Sequence, residues 1–197
     1  MNKGRLEAFS DGVFAIVITL LILDVRLPPG VHVSIGALWQ LLPRLATFVL
    51  SFVVVGVYWV AHHNMMHFIE RVDRSLLWLN LLLLLCVVFI PFPASFLGTD
   101  LQSPLAVRLY GVSLMATNAA GALFWSYATL GSRLAKPEVS REFAWRIMRI
   151  HSAPIAVYAG AAVLATIALR LSLTLFALVP LFFILPNPWL KRAIGAS

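Results

Sequence analysis

The residues able to do chemistry lie where long apolar segments begin or end. Arg5, Ser10 and Asp11 open the first of these segments, which continues through residues 13–23. An ionisable group at membrane depth costs roughly 2.5–3.5 kcal/mol, so it marks a function or a buried partner. For Asp11 two roles stay open: a carboxylate paired with an Arg or a His that fixes helix packing, or a member of a proton relay.

Three histidines, His62, His63 and His67, end the second apolar segment. His63 and His67 are four residues apart, so both can face one metal ion from the same side of a helix. A metal site needs three or more ligands. The other candidate ligands are His151, Glu70 and Asp73. A metal-dependent membrane enzyme built on the three histidines is therefore one hypothesis.

The same histidines can instead satisfy the polar groups of the first segment. If the helices alternate in direction, His62 and His63 lie at the same side of the membrane as Ser10 and Asp11, which allows a His–Asp or His–Ser contact. Asn80 lies in an apolar third segment and also needs a partner on another helix. Hydrogen bonding at the membrane boundary is thus the second hypothesis for these residues.

At 100° per residue, the first segment forms a helix with two unlike faces. One face comprises Arg5, Phe9, Gly12, Ile16, Thr19, Leu20 and Leu23, and Asp11 falls on roughly the opposite side. In an oligomer, Ile16 and Leu23 would form hydrophobic rings about 10 Å apart that gate by dewetting, with a polar Thr19 ring between them. Ordinary packing against other helices is the alternative.

The composition indicates an all-α polytopic membrane protein. Of the 197 residues, 61% are hydrophobic and 12% are charged, and the mean hydropathy is +0.92. A soluble domain is about 45–50% apolar and about 25% charged. We therefore expect residues 1–197 to form a single transmembrane domain with no separate soluble domain. The net charge of +7 is expected to set topology and not to bind nucleic acid, because no basic-aromatic surface module is visible.

Apolar runs near the length that crosses ~30 Å of hydrocarbon predict six transmembrane helices. Their approximate bounds are residues 6–25, 35–68, 76–96, 104–134, 151–169 and 171–185.

The distribution of basic residues predicts that both termini are cytoplasmic. The cytoplasmic side would hold Lys3, Arg5, Arg71, Arg74, Arg133, Lys136, Arg141, Arg146, Arg149, Lys191 and Arg192, against Arg26, Arg44, Arg108 and Arg170 on the other side. The stretch from Arg141 to Arg149 is basic and amphipathic. It serves either as a topology anchor or as a surface for anionic lipid head groups.

Known catalytic motifs are absent from the sequence, which has no Gly-rich phosphate loop, no Ser–His–Asp order and no cysteine pair. We therefore expect neither an enzyme nor a cofactor. A proton-coupled transporter using Asp11 and a histidine stays an alternative, although six helices without a discontinuous pair argue against it. The sequence also lacks Thr-Val-Gly-Tyr-Gly, which excludes ion selection by the usual ring of backbone carbonyls.

Three short segments in the first half of the chain carry a family resemblance. They are Arg5-x-x-x-Phe9-Ser10-Asp11, Tyr58-Trp59 with His62-His63, and Asn80 with Pro91-Phe92-Pro93. Together they resemble the transmembrane protein 175 family, which comprises endosomal and lysosomal potassium channels and their bacterial relatives. Beyond about Gly98 the resemblance rests on helix count.

The resemblance implies a potassium-preferring cation channel that is a homotetramer with six helices per subunit, its pore lined by the first helix. By position, Ile16 would be the narrow hydrophobic constriction and Leu23 the next ring outward, with Leu20 in the same lining. Thr19 would be the hydroxyl layer tied to potassium preference.

The resemblance also implies a hydrogen-bond network that joins the first three helices, with a histidine as partner of the Phe-Ser-Asp signature. Its members would be Arg5, Phe9, Ser10, Asp11, Trp59, His62, His63 and Asn80. Permeant potassium would be the ligand, with no cofactor. The small single-repeat form implies a multi-pass protein of the bacterial plasma membrane.

Overall fold

The computed structural model describes residues 2–132 and 134–185, and this part of the chain is all helical apart from turns, loops and one isolated bridge between Ile69 and Ala135. The all-α prediction is confirmed. The helices are α1 (Lys3–Leu20), α2 (Ile35–Gln40), α3 (Leu42–Phe68), α4 (Arg74–Phe89), α5 (Pro91–Thr99), α6 (Pro104–Ser126), α7 (Arg141–Leu164) and α8 (Leu169–Ile184). A 3₁₀ turn, Leu21–Asp24, extends α1, and a π-helical turn, Tyr127–Gly131, extends α6.

Polar residues cap the starts of five helices. The side chains of Asn2, Ser34, Asp73, Ser103 and Ser140 each accept a hydrogen bond from a backbone N–H in the first turn that follows. Each cap satisfies a donor that has no partner inside the helix. The caps therefore fix where α1, α2, α4, α6 and α7 begin.

Prolines divide two segments that we predicted as single helices. The predicted helix 35–68 is interrupted at Leu41, because α3 starts anew with Pro43 in its first turn. The predicted helix 76–96 is interrupted at Ile90, directly before Pro91 opens α5. Proline has no backbone N–H and is tolerated in the first turn, where that donor would have no partner.

The other predicted bounds also shift. The first predicted helix, 6–25, is α1 with its 3₁₀ turn, and the fourth, 104–134, is α6 with its π-helical turn. The fifth, predicted at 151–169, begins already at Arg141, because the basic stretch forms the first turns of α7. The sixth, predicted at 171–185, is α8. The basic residues Arg133, Lys191 and Arg192 lie outside the described residues.

Four segments in the described part of the chain are long and apolar enough to cross a membrane. They are Lys3–Asp24, Leu42–Phe68, Arg74–Thr99 and Arg141–Leu164. Helix α8 is apolar but shorter. Helix α6 is long, but its polar residues, above all Arg108 and Asn118, reduce its hydropathy, and α4, α5, α7 and α8 surround it. The protein is therefore a multi-pass membrane protein, while the count of six spans stays a prediction.

One buried cluster shows how the helices are directed. Leu6, Met66, Leu76, Trp125 and Ile147 pack together. They bring the starts of α1, α4 and α7 to the same end as the ends of α3 and α6. Consecutive long segments therefore alternate in direction. At this end the loop after α3 pairs with the loop after α6, since the N–H of Glu70 donates to the carbonyl of Leu134 at 2.9 Å.

Gly111 marks a close approach between α6 and the last two helices. A Cβ placed there would lie 2.9 Å from Cζ of Phe176 on α8 and 3.3 Å from Cβ of Ala162 on α7. At Gly121, in the same helix, the nearest atom would be Cδ1 of Leu83 at 3.9 Å. Only the first glycine is required by packing.

We expect Gly111→Ala to lower the melting temperature of the detergent-solubilised protein, because Phe176 is buried and has to shift. Such overpacking costs roughly 1–3 kcal/mol. Gly121→Ala is the matched control, which should hold or raise the melting temperature because alanine favours a helix by roughly 0.5–1 kcal/mol over glycine. Equal melting temperatures for the two variants would contradict the close approach at Gly111.

Candidate pore-lining helix and its polar anchor

One face of α1 is turned into the subunit. Leu6, Ser10, Phe14, Val17 and Leu21 are buried, and the helix they lie on packs against α3 and α4. They recur every three or four residues, which places them on one side of a helix. This face includes Ser10, a polar residue with none of its surface exposed.

A second face of α1 is exposed along its whole length. It is the predicted stripe of Arg5, Phe9, Gly12, Ile16, Thr19, Leu20 and Leu23, all of which are exposed. Ile16 is 59% exposed and Leu23 is 64% exposed. These side chains therefore do not form the ordinary packing within the subunit that was the alternative explanation of the stripe.

The 3₁₀ turn at the end of α1 changes the geometry of this stripe. A 3₁₀ helix has three residues per turn, so Leu20 and Leu23 lie one above the other. It also rises about 2.0 Å per residue, compared with 1.5 Å in an α-helix. The axial distance from Ile16 to Leu23 is therefore about 12 Å, longer than the about 10 Å expected for a continuous α-helix.

The Thr19 hydroxyl lies between these apolar side chains. It donates its hydrogen to the carbonyl oxygen of Ile16 at 2.8 Å and is exposed. Because the hydrogen is used within the helix, what the oxygen offers to the outside is its lone pairs. In this state the group can bind a cation or accept a hydrogen bond.

A chain of buried hydrogen bonds joins α1, α3 and α4 through Ser10, Asn80 and His62. The Ser10 hydroxyl donates to the Leu6 carbonyl at 2.9 Å and accepts from the Asn80 amide nitrogen at 3.0 Å. The Asn80 amide oxygen lies 2.8 Å from Nε2 of His62, which therefore carries the proton and donates. Ser10 and Asn80 have no exposed surface and His62 is 2% exposed.

Two aromatic rings hold the His62 imidazole in place. The Phe14 ring on α1 lies 5.6 Å from it and the Phe124 ring on α6 lies 5.8 Å from it, measured between ring centroids. Neither phenylalanine was among the predicted site residues. Phe14 follows the buried spacing of α1, whereas nothing in the sequence places Phe124 beside a histidine of another helix.

Asp11 has a different partner from the one expected. Its carboxylate accepts a hydrogen bond from the indole nitrogen of Trp59 at 2.9 Å, in place of the His or Arg that we predicted. The His63 ring packs beside this indole, with centroids 6.1 Å apart.

Arg5 and Phe9 are exposed and belong to none of these side-chain hydrogen bonds. Asn80 therefore bridges His62 to Ser10, where a direct His–Ser or His–Asp contact was expected.

The three histidines do not converge on one point. His62 is buried, whereas His63 and His67 are exposed on another side of α3. Within residues 2–132 and 134–185, no three His, Cys, Asp or Glu side chains come close enough together to hold a metal ion. The geometry of the described residues gives no support to the metal-enzyme hypothesis.

Comparison with known proteins identifies the family. The model of the family described as endosomal/lysosomal potassium channel TMEM175 matches residues 5–91. A protein of Streptomyces collinus named as a potassium channel is 42% identical over 149 residues, which cover 71% of each chain. This chain belongs to the TMEM175 family. The predicted resemblance is confirmed. The matched residues include most of α1 and all of α3 and α4, the helices joined by the Ser10–Asn80–His62 hydrogen bonds, which we call the polar anchor.

The fold is that of a TMEM175 channel. The crystal structure of a homologue from Chamaesiphon minutus, described as a lysosomal potassium-selective channel TMEM175 homologue, superposes with a TM-score of 0.79 at 30% identity and covers 97% of each chain. A human relative, named an endosomal/lysosomal proton channel, is 25% identical over 97% of this chain but only 38% of its own length. These relatives are named as channels and not as enzymes.

We expect Asn80→Ala to lower the melting temperature strongly, because it leaves the His62 N–H without an acceptor inside the protein. A buried polar group without a partner costs about 1–3 kcal/mol. Trp59→Phe is the comparison variant, since it removes an exposed hydrogen bond to Asp11, and it should lower the melting temperature less. Equal melting temperatures for the Asn80→Ala and Trp59→Phe variants would show that the polar anchor does not stabilise the structure.

Proposed function

We propose that the protein is a potassium-preferring cation channel, a homotetramer whose pore is lined by the exposed face of α1. The observation that carries this proposal is the difference in burial between two faces of α1. One face is held by the buried hydrogen bonds of Ser10, while the neighbouring face leaves Ile16, Thr19 and Leu23 uncovered. Membership of the TMEM175 family supports it, because the relatives cited above are named as channels.

The exposed face has the composition of a pore lining. Gly12 carries no side chain, and Thr19 carries a hydroxyl oxygen with free lone pairs. A face that meets only lipid gains nothing from either residue. Around a four-fold axis, Ile16 would form a hydrophobic ring that closes the path by excluding water, and the Leu20 and Leu23 pair would form a second apolar layer.

The Thr19 ring is the proposed basis of potassium preference. Four hydroxyl oxygens replace fewer waters of an ion's hydration shell than the carbonyl cages of other potassium channels do. We therefore infer weak to moderate selectivity of potassium over sodium. Residues on the stripe from Phe9 to Leu23 carry no titratable side chain, so the lining itself offers no proton-relay group. This favours potassium over protons as the main permeant ion, although the human relative is named a proton channel.

The orientation and surroundings complete the proposal. Both termini would be cytoplasmic, as the basic residues predict. The membrane would be a bacterial plasma membrane, a proposal supported by the bacterial relatives from Streptomyces collinus and Chamaesiphon minutus. The Asp11 carboxylate is hydrogen-bonded to Trp59, so a fixed structural role is preferred to a part in proton-coupled transport. Arg141 and Arg149 are exposed at the start of α7, where anionic lipid head groups are the expected contacts.

Ile16→Asn tests the constriction. The amide hydrates the narrowest ring, so we expect a larger basal current in planar bilayers, about tenfold for each ~1.4 kcal/mol taken from the barrier. Val163→Asn on α7 is the matched control, because Val163 is also an exposed apolar residue, at 68%. It should leave the current unchanged. An Ile16 variant that behaves like the Val163 variant would place this face of α1 against lipid.

Thr19→Ala tests selectivity. The variant removes the hydroxyl ring, and we expect the reversal potential under opposed potassium and sodium gradients to move toward zero while the conductance changes less. Thr19→Ser keeps the oxygen and should preserve the reversal potential. Intact selectivity in the alanine variant would remove Thr19 from the filter. A reversal potential that instead follows an imposed pH gradient in the wild type would establish protons as the permeant ion.

A further inference from the structure

The Thr47 hydroxyl, near the start of α3, has no hydrogen-bond partner. Thr47 is 4% exposed, and its Oγ1 is the one buried side-chain nitrogen or oxygen in the described part of the chain for which no protein partner is found. Buried polar groups are almost always satisfied by the protein or by bound water. A lone hydroxyl between helices in a membrane protein therefore indicates a bound group.

Thr47 lines a small, partly open space with other polar side chains. A cavity of about 10 Å³ lies between the 3₁₀ turn of α1, the start of α3 and the middle of α5. Asp24, Arg44, Thr47 and Ser95 form its polar lining, and apolar residues line the rest. A space of about 10–15 Å³ accommodates one water molecule, which then needs two to four polar partners.

The hydrogen bonds already formed determine what the lining offers. The Ser95 hydroxyl donates to the Phe92 carbonyl at 2.8 Å, so its lone pairs stay available as acceptors. The Arg44 guanidinium donates to the Arg26 carbonyl at 2.7 Å. The Asp24 carboxylate is an acceptor, and the Thr47 hydroxyl can donate or accept. The lining therefore needs a ligand that donates to Asp24 or Ser95 and also bonds to Thr47.

We propose that one ordered water molecule binds in this cavity and bridges Thr47 to Asp24 and Ser95. Water supplies two donors and two acceptors, which fits this lining. Space for about one water-sized group is a poor fit for a hydrated cation, and the Arg44 guanidinium in the lining opposes a bare one. The water links the 3₁₀ turn of α1, which carries Leu23, to α3 and α5. It thus anchors the end of α1 that lies opposite the Ser10 anchor.

Thr47→Val in the full-length protein tests this proposal by the sign of its effect. The substitution keeps the volume of the side chain and removes the hydroxyl. If water is bound, the variant removes one of its partners, and we expect the melting temperature to fall by about 2–4 °C, the shift for a loss of one hydrogen bond in a protein of this size. If the hydroxyl is without any partner, its removal raises the melting temperature, and that result overturns the proposal.

Ser95→Ala provides a second variant in case Thr47→Val does not fold. It removes another partner of the water and should also lower the melting temperature, whereas Thr99→Ala on the same helix should not. Thr99 is the matched control because its exposed hydroxyl likewise donates to a carbonyl of α5, that of Ser95 at 2.8 Å, and does not line the cavity. Equal melting temperatures for the Ser95→Ala and Thr99→Ala variants would overturn the proposal that Ser95 binds a water molecule.

A direct test is the density in this cavity at a resolution that resolves waters. We expect one peak within hydrogen-bond distance of Thr47 Oγ1 in the wild type and none in the Thr47→Val variant. Replacing potassium with choline should leave the peak and the melting temperature unchanged. A peak or a melting temperature that requires potassium would identify a cation and overturn the assignment to water. These readouts do not depend on whether the protein conducts ions.

Discussion

The buried amide of Asn80 is the interaction that fixes how α1 is rotated in the bundle. It joins His62 on α3 to Ser10 on α1, and all three side chains are buried. Interhelical hydrogen bonds in membranes contribute only about 0.6 kcal/mol each on average. The larger quantity is the penalty for breaking them, because each group left unpaired costs about 1–3 kcal/mol. The main effect of the network is therefore to select one orientation of α1, and its contribution to the stability of the fold is smaller.

The orientation of α1 decides which residues are left uncovered. With Ser10 directed at Asn80, the residues that follow the same spacing, Phe14 and Val17, pack inside the subunit. Ile16 and Thr19 then have to lie on an exposed face, since they are displaced around the helix by about 100–200° from those positions. The proposed pore lining is thus a geometric consequence of a hydrogen bond formed about two turns earlier along the helix.

Helical periodicity allowed the stripe on α1 to be grouped from sequence, because α1 keeps one α-helical register up to Leu20, and of the stripe only Leu23 lies in the 3₁₀ turn. The partners could not be predicted in the same way. Trp59, His62 and His63 lie within about one turn of α3, so a rotation of that helix by 100° would exchange the buried side chain for an exposed one. The hydrogen-bond partner of Asp11 is Trp59, but periodicity alone did not distinguish Trp59 from the neighbouring histidines as that partner. The central position of α6 was not predicted either, because an apolar run indicates a span but does not show that α4, α5, α7 and α8 surround it.

The same anchor limits how a pore lined by α1 can open. Rotating the whole helix would separate Ser10 from Asn80 and leave buried groups unpaired, at a cost of several times RT. Bending beyond the anchor avoids this cost. Gly12 lies two residues after Ser10, and a Cβ placed there would meet no atom within 4 Å, so no neighbour blocks a bend at this residue, and what opposes the bend is the packing of Phe14 and Val17. A bend at Gly12 would carry Ile16 and Thr19 away from the axis while the Ser10–Asn80–His62 chain stays intact. Conduction and anchoring are then compatible because they occupy successive turns of one helix.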